Sequence, residues 1–307
     1  MLDTVFAAMI MTAAVSCEIL DNDPDKHVKD EDSTYVGLEE VAEIISLIPL
    51  QTSQLDEVHT AVTSSSGNGY DEEYTMKHLF ESPGAGVGDE QTRSAEAYDR
   101  PLRELIEDQV RKMHMTRSGE DGLDPDLFLD ELMKSDIQIY WPFSENWDGE
   151  SLPVITFDPE DGSEKNFGYR MVMEDDGSRR VEEVVVDEAM AEVEPVWVIN
   201  RNSDAGYATL EMLRREHPDW GEGGGTIIVR PSGQDQRETR VESSVKALIL
   251  KDFTMNRSYD SWFAGASEFF VKTGAVEDFT ASTEAELRLY SPTITDFLIV
   301  VKRSQIG

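Results

Sequence analysis

Hydrophobic and polar positions along this chain change rhythm near residue 136. Before it, the spacing is helical. Over residues 37–55, Leu38, Val41, Ile44, Ile45 and Leu47 mark one apolar face, and Pro49 ends or kinks the element. Ser64-Ser65-Ser66-Gly67-Asn68-Gly69 reads as a loop, and Asp71 is placed to cap a short helix over 72–80. The clearest helix is 101–115, with Pro101 suited to its first turn and Leu102, Leu105, Ile106, Val110 and Met113 forming a stripe. Asp124-Pro125-Asp126 opens a further helix over 127–133, offering Leu127, Phe128 and Leu132 for packing.

After residue 136 the period becomes two. Ile137-Gln138-Ile139-Tyr140-Trp141 alternates as a strand does, and 154–157 is a second strand. Residues 171–173 and 181–186 flank Asp176-Gly177, a pair suited to a tight turn, and predict a hairpin. Val196-Trp197-Val198-Ile199 reads as a buried strand, 205–215 as a short helix and 226–229 as a strand after a glycine-rich loop. A polar stretch, 231–244, separates this from a second strand series at 245–253, 268–272, 285–290 and 296–301. The pattern predicts an α+β protein: a helical region 36–135, a β-rich region 136–230, a linker 231–244 and a β-sandwich-like domain 245–307. That last domain is short of strands, so it either borrows an edge from the preceding region or is an incomplete, truncated sandwich.

Composition narrows the partners. Of 307 residues, 39% are hydrophobic, enough for a real core, and 63 Asp and Glu against 27 Lys and Arg give a formal charge of -36. Nucleic acid is a poor partner for such a chain, since its binding depends on neutralising phosphates with basic residues. An anionic membrane surface would repel the chain as well, so attachment to a bilayer must come from lipid. The single cysteine excludes an internal disulfide framework.

That cysteine ends an apolar run, residues 5–15, too short for a membrane span of about 20 residues and suited to a signal core. Ala14-Val15-Ser16-Cys17 resembles the lipobox of bacterial lipoproteins, with Ala14 where leucine is usual. The resemblance makes 1–17 a lipoprotein signal region that is cleaved before Cys17, and the acylated Cys17 then holds the chain in the outer membrane or on the cell surface. The alternative is an apolar N-terminal helix with an inert cysteine. The polar segment 18–35 reads as an acidic tether. Acidic residues after such a cysteine resemble the surface-export signals of Bacteroidetes lipoproteins. Two further stretches carry the same resemblance: Gly69-Tyr70-Asp71-Glu72-Glu73-Tyr74, and Asp260-Ser261-Trp262-Phe263-Ala264-Gly265-Ala266-Ser267-Glu268, similar to a recurring pattern of secreted bacterial proteins. Neither implies a catalytic residue.

Candidate chemistry is sparse. The five histidines form no zinc-peptidase pattern, and the glycines of 83–88 lack the strand and lysine of a phosphate cradle. Trp141 and Trp147, with Glu145 nearby, could form a stacking platform for a glycan, the alternative being that they are core aromatics. Asp252, Asp260 and Glu268 could meet as a calcium site at one end of the C-terminal domain, the alternative being that Asp260 serves its own turn. The expectation is a lipid-anchored, non-enzymatic binding or adhesive protein of the envelope, its partner a glycan or another envelope protein. The alternative is a secreted hydrolase acting on glycan or peptide.

Overall fold

The computed structural model describes residues 8–15, 36–81, 98, 100–116, 124–174, 176–204, 206–216, 254–255, 257–276 and 294–305. The elements before the rhythm change are β1 (Ala8–Val15), α1 (Leu38–Ser46), α2 (Thr52–Gly67), β2 (Glu73–Thr75), α3 (Met76–Phe80), α4 (Leu102–Thr116) and α5 (Pro125–Lys134). After it come β3 (Ile137–Tyr140), β4 (Val154–Phe157), β5 (Lys165–Met173), β6 (Arg179–Asp187), α6 (Glu188–Ala191), β7 (Val196–Arg201), α7 (Leu210–Glu216), β8 (Ser267–Val276) and β9 (Ile294–Val301). The class is α+β. A mixed six-stranded sheet, ordered β2-β3-β7-β4-β5-β6, stands beside a smaller antiparallel sheet, β1-β8-β9.

Alternation along the strands sorts the large sheet into two faces. Tyr74, Ile137, Ile139, Trp141, Ile155, Phe157, Trp197 and Ile199 point to the helical side, where they share one core with the apolar stripes of α1, α2, α4 and α5. The helices of 36–135 and the strands of 137–201 therefore pack as one body. The helix ends are held by polar groups. Gln51 and Gln54 form a capping box on α2, and Asp124 accepts from the Asp126 amide at the start of α5. The buried Glu57 carboxylate accepts from the Leu102 amide at the start of α4 (2.7 Å).

Three local expectations change. Residues 64–67 continue α2 instead of looping, because Ala61, Val62 and Ser65 keep its buried face in register. Leu127 is exposed on α5, and Leu129 packs in its place. Asp71 caps no helix: Glu73–Thr75 is drawn into the sheet by pairing with β3, and Thr75 caps α3 instead.

The opposite face carries Tyr140, Val154, Val186, Val196 and Val198. Trp262 and Phe263 cover it, and the Trp262 indole donates to the Glu164 carbonyl (3.1 Å). Among the described residues beyond 245, β8 and β9 are the strands, and they lie in one antiparallel layer with β1 along β8. The expected sandwich is not seen among them, since the 260–266 loop seals the large sheet. Leu213 of α7 packs on Val271 and Phe297 of the hairpin. Cys17, the tether, the linker 231–244 and the strands expected at 226–229, 245–253 and 285–290 lie outside the described residues. No described helix is long and apolar enough to cross a membrane.

Candidate functional site: an acidic cavity at the sheet edge

Toward the β2 edge the second face turns polar. Glu73 lies opposite Tyr140, Thr75 opposite Gln138, and Gln138 opposite Asn200, so Glu73, Thr75, Gln138 and Asn200 share one face. The chain continues past β7 to Asn202 and Asp204. Asp71 and Asp204 are 4% and 3% exposed, Glu73 7%. Glu268, at the start of β8, completes the group and accepts from the Ser203 hydroxyl (3.0 Å).

The two stretches that stood out in the sequence meet here. One Asp71 oxygen accepts from the Glu72 amide (2.8 Å), and the other accepts from the Ala266 amide (2.7 Å). Gly265 has a φ of 114° and sits against that second oxygen, where an added Cβ would lie 2.8 Å away. Asn200 donates to the Phe263 carbonyl (2.9 Å), a second tie from the sheet to the same loop. Ser144 donates to Glu72 (3.1 Å), and the Tyr70 hydroxyl donates to the Tyr207 carbonyl (2.7 Å). Tyr74 faces the other way and donates to Glu57. The motif 69–74 thus anchors both layers of the molecule.

Burial dominates the electrostatics. It pushes Glu72 up to about 8, helped by the Asp71 charge and by Glu145. Glu73 is raised well above the ordinary carboxyl range, by burial first and then by the charges of Asp204, Asp71 and Glu268. Asp204 rises to about 6 through burial and Asp71, with Asn202 opposing the shift. Glu268 rises to about 8 through burial, Asp204 and Asp71. Asp71 is raised by burial, which its two amide bonds partly offset. Carboxyl groups crowded out of water hold protons to avoid an unpaired charge.

A cavity of about 320 Å³ opens beside this group, lined by Tyr70, Glu73, Thr75, His78, Asn202 and Asp204 among others. Asp204 Oδ2 and Asn202 Oδ1, both at the cavity, are buried with no hydrogen-bond partner among the described residues, and Asn200 Oδ1, outside the lining, has none either. Such groups are few in folded proteins, and two of them at one cavity mark a candidate site.

The residues expected to form a site fall elsewhere. Trp141 is 1% exposed, wedged edge-on between Trp147 and Trp197, and offers no face for a sugar. The strand's alternation sends it into the core with Ile137 and Ile139. Trp147 is half-buried, donates to the Ser151 carbonyl (3.0 Å) and lines a separate cavity of about 140 Å³. Glu145 is exposed and close enough to Glu72 to help raise its proton affinity. Of the calcium trio, Asp252 lies outside the described residues, and Glu268 faces Asp204. The Asp260 carbonyl accepts from Arg303 (2.7 Å). No set of three or more His, Cys, Asp or Glu side chains is placed to hold a metal ion among the described residues.

Sequence reasoning missed Asp204 and Asp71 as members of a site. One signal was present. Val196, Val198, Asn200, Asn202 and Asp204 keep period two while changing from apolar to polar, as a sheet face running from core into a cavity would. Comparison with family models, curated proteins and solved structures finds no match for this chain.

Proposed function

We propose that this chain is a lipid-anchored protein of the bacterial cell envelope, held to the outer membrane or cell surface through acylated Cys17, with a folded body that is a non-enzymatic ligand-binding module. The address rests on Ala14-Val15-Ser16-Cys17 and on an acidic surface that gives an anionic bilayer no electrostatic hold. Cleavage before Cys17 would remove β1 and leave β8 as an edge strand.

The binding role rests on one observation: buried acceptors without donors line a cavity whose residues Asn68 and Tyr70 are tied to the second half of the sequence through Arg215 and Tyr207. Small-ligand sites are typically concave, largely preformed and furnished with a few placed polar groups. The glycan platform has weaker support: Trp141 and Trp147 both border the cavity of about 140 Å³, but Trp141 is 1% exposed and leaves no ring face open to it.

A second reading, a hydrolase, has one observation in its favour. Glu73 and Asp204 line the same cavity, and their proton affinities are raised to different degrees, as in an acid and base pair. Turnover of a glycan or peptide that is lost in Glu73→Gln would favour it over binding alone.

Metabolic labelling with palmitate tests the address. Labelled chain in the membrane fraction, with unlabelled and soluble Cys17→Ala, is the expected result. A soluble, unlabelled wild type would refute the anchor.

A further inference from the structure

The ligand class follows from which groups the cavity leaves unmatched, and this step rests on the binding reading above. Asp204 is 3% exposed, and its Oδ2 and the Oδ1 of Asn202 are acceptors without donors. Both line the cavity, with Glu73 on the same wall. No cation among the described residues reaches Asp204 Oδ2 or Asn202 Oδ1. Lys302 donates to Ser66, Arg215 to Asn68 and the Gly67 carbonyl, and Arg201 to Asp136 and Glu160. Arg303 bridges Glu188 and the Asp260 carbonyl. Lys77 lines the cavity but is solvent-exposed. A buried carboxylate oxygen is costly to leave unpaired, and an occupant that relieves it must bring positive charge and N–H donors.

We propose that this cavity binds an organic cation, its ammonium or guanidinium group seated between Asp204 Oδ2 and Asn202 Oδ1. About 320 Å³ accommodates a small molecule and falls at the lower end of ordinary ligand pockets, which run from about 300 Å³ upward. The chain's excess of 63 acidic over 27 basic residues adds a field that concentrates cations at its surface. Three Asp, Glu and Asn acceptors can orient a forked or threefold donor, whereas a quaternary ammonium has nothing to give them.

Calorimetric titration of the intact chain with agmatine, which carries both cationic groups, tests the inference. Tetramethylammonium supplies charge without N–H donors, and xylitol supplies donors without charge. Ethylamine and methylguanidine separate the two cationic heads. The expected result is saturable binding of agmatine and of at least one head, and none of tetramethylammonium. Agmatine binding should weaken about tenfold or more in Asp204→Asn, which removes the charge at nearly constant shape. Asn202→Ala serves as a second variant, with folding of each checked by thermal melting, and should weaken agmatine as well. Equal agmatine affinity in wild type and both variants would overturn the inference, as would absence of saturable agmatine binding. Binding of xylitol in place of agmatine would overturn the cation and leave the ligand-binding reading standing, whereas a blank across a broad ligand library would remove both.

Discussion

Replacing Glu268 by Gln should flatten the pH dependence of stability. Glu268 holds its proton up to about 8 in the folded chain, against an ordinary value of 4.5, because burial and the neighbouring Asp204 and Asp71 oppose its charge. The folded state therefore binds more protons than the unfolded state between these values, and stability falls as pH rises through them. At about 1.4 kcal/mol per pH unit, the loss by pH 7 is roughly 3 kcal/mol as a ceiling. Part of the shift comes from the charges of Asp204 and Asp71, which have raised proton affinities of their own, so a single replacement should recover less, about 1–2 kcal/mol. The Gln amide keeps an oxygen for the Ser203 hydroxyl, which now bonds to the carboxylate at 3.0 Å. The assay is urea unfolding at pH 5, 6, 7 and 8, comparing wild type with Glu268→Gln. Wild type should lose stability across the series, and the variant should gain on it steadily above pH 5. A difference between the two that stays constant with pH, or that grows toward low pH, would refute the assignment.

Gly265→Ala combines a left-handed backbone with a Cβ pressed on Asp71, so it should cost about 2–4 kcal/mol in chemical denaturation and loosen the 260–266 loop to proteolysis. Trp262→Ala uncovers the second face of the large sheet and should cost about 3–5 kcal/mol, read from the same unfolding curves. Trp141→Ala should cost about as much, and Trp147→Ala clearly less, since only the first is fully buried; near-equal losses would show that Trp147 is also a core residue. Cys17→Ala should shift the chain from membrane to soluble fractions, read by fractionation and immunoblot.

The elements with strong periodicity were legible in the sequence. Ile137, Ile139 and Trp141 reveal the core face of β3 by alternation, and Leu102, Ile106 and Val110 reveal that of α4 by helical spacing. β2 was not legible, because three residues are too few to show a period and their conformation is imposed by β3, some 65 positions later. Asp71-Glu72-Glu73 consequently read as the start of a helix, which an acidic first turn favours locally. The cavity was hidden for a different reason. Its lining carboxylates come from residues 73, 136 and 204, with Asp71 and Glu268 close by, and no local spacing distinguishes them among 63 acidic residues. Trp262 and Gly265 stood out in sequence, but their role, sealing a sheet and making room for Asp71, depends on a contact across 195 positions.

The central claim is that the acidic cavity binds a ligand without transforming it. Ligand-observed NMR of the intact chain against a mixed library of sugars, short peptides and organic cations tests this most directly, with Asp204→Asn run in parallel and the spectra followed over a day. At least one compound should saturate the wild type, bind more weakly to the variant and stay chemically unchanged. A library with no compound separating wild type from variant, or a bound compound that is steadily converted, would contradict it.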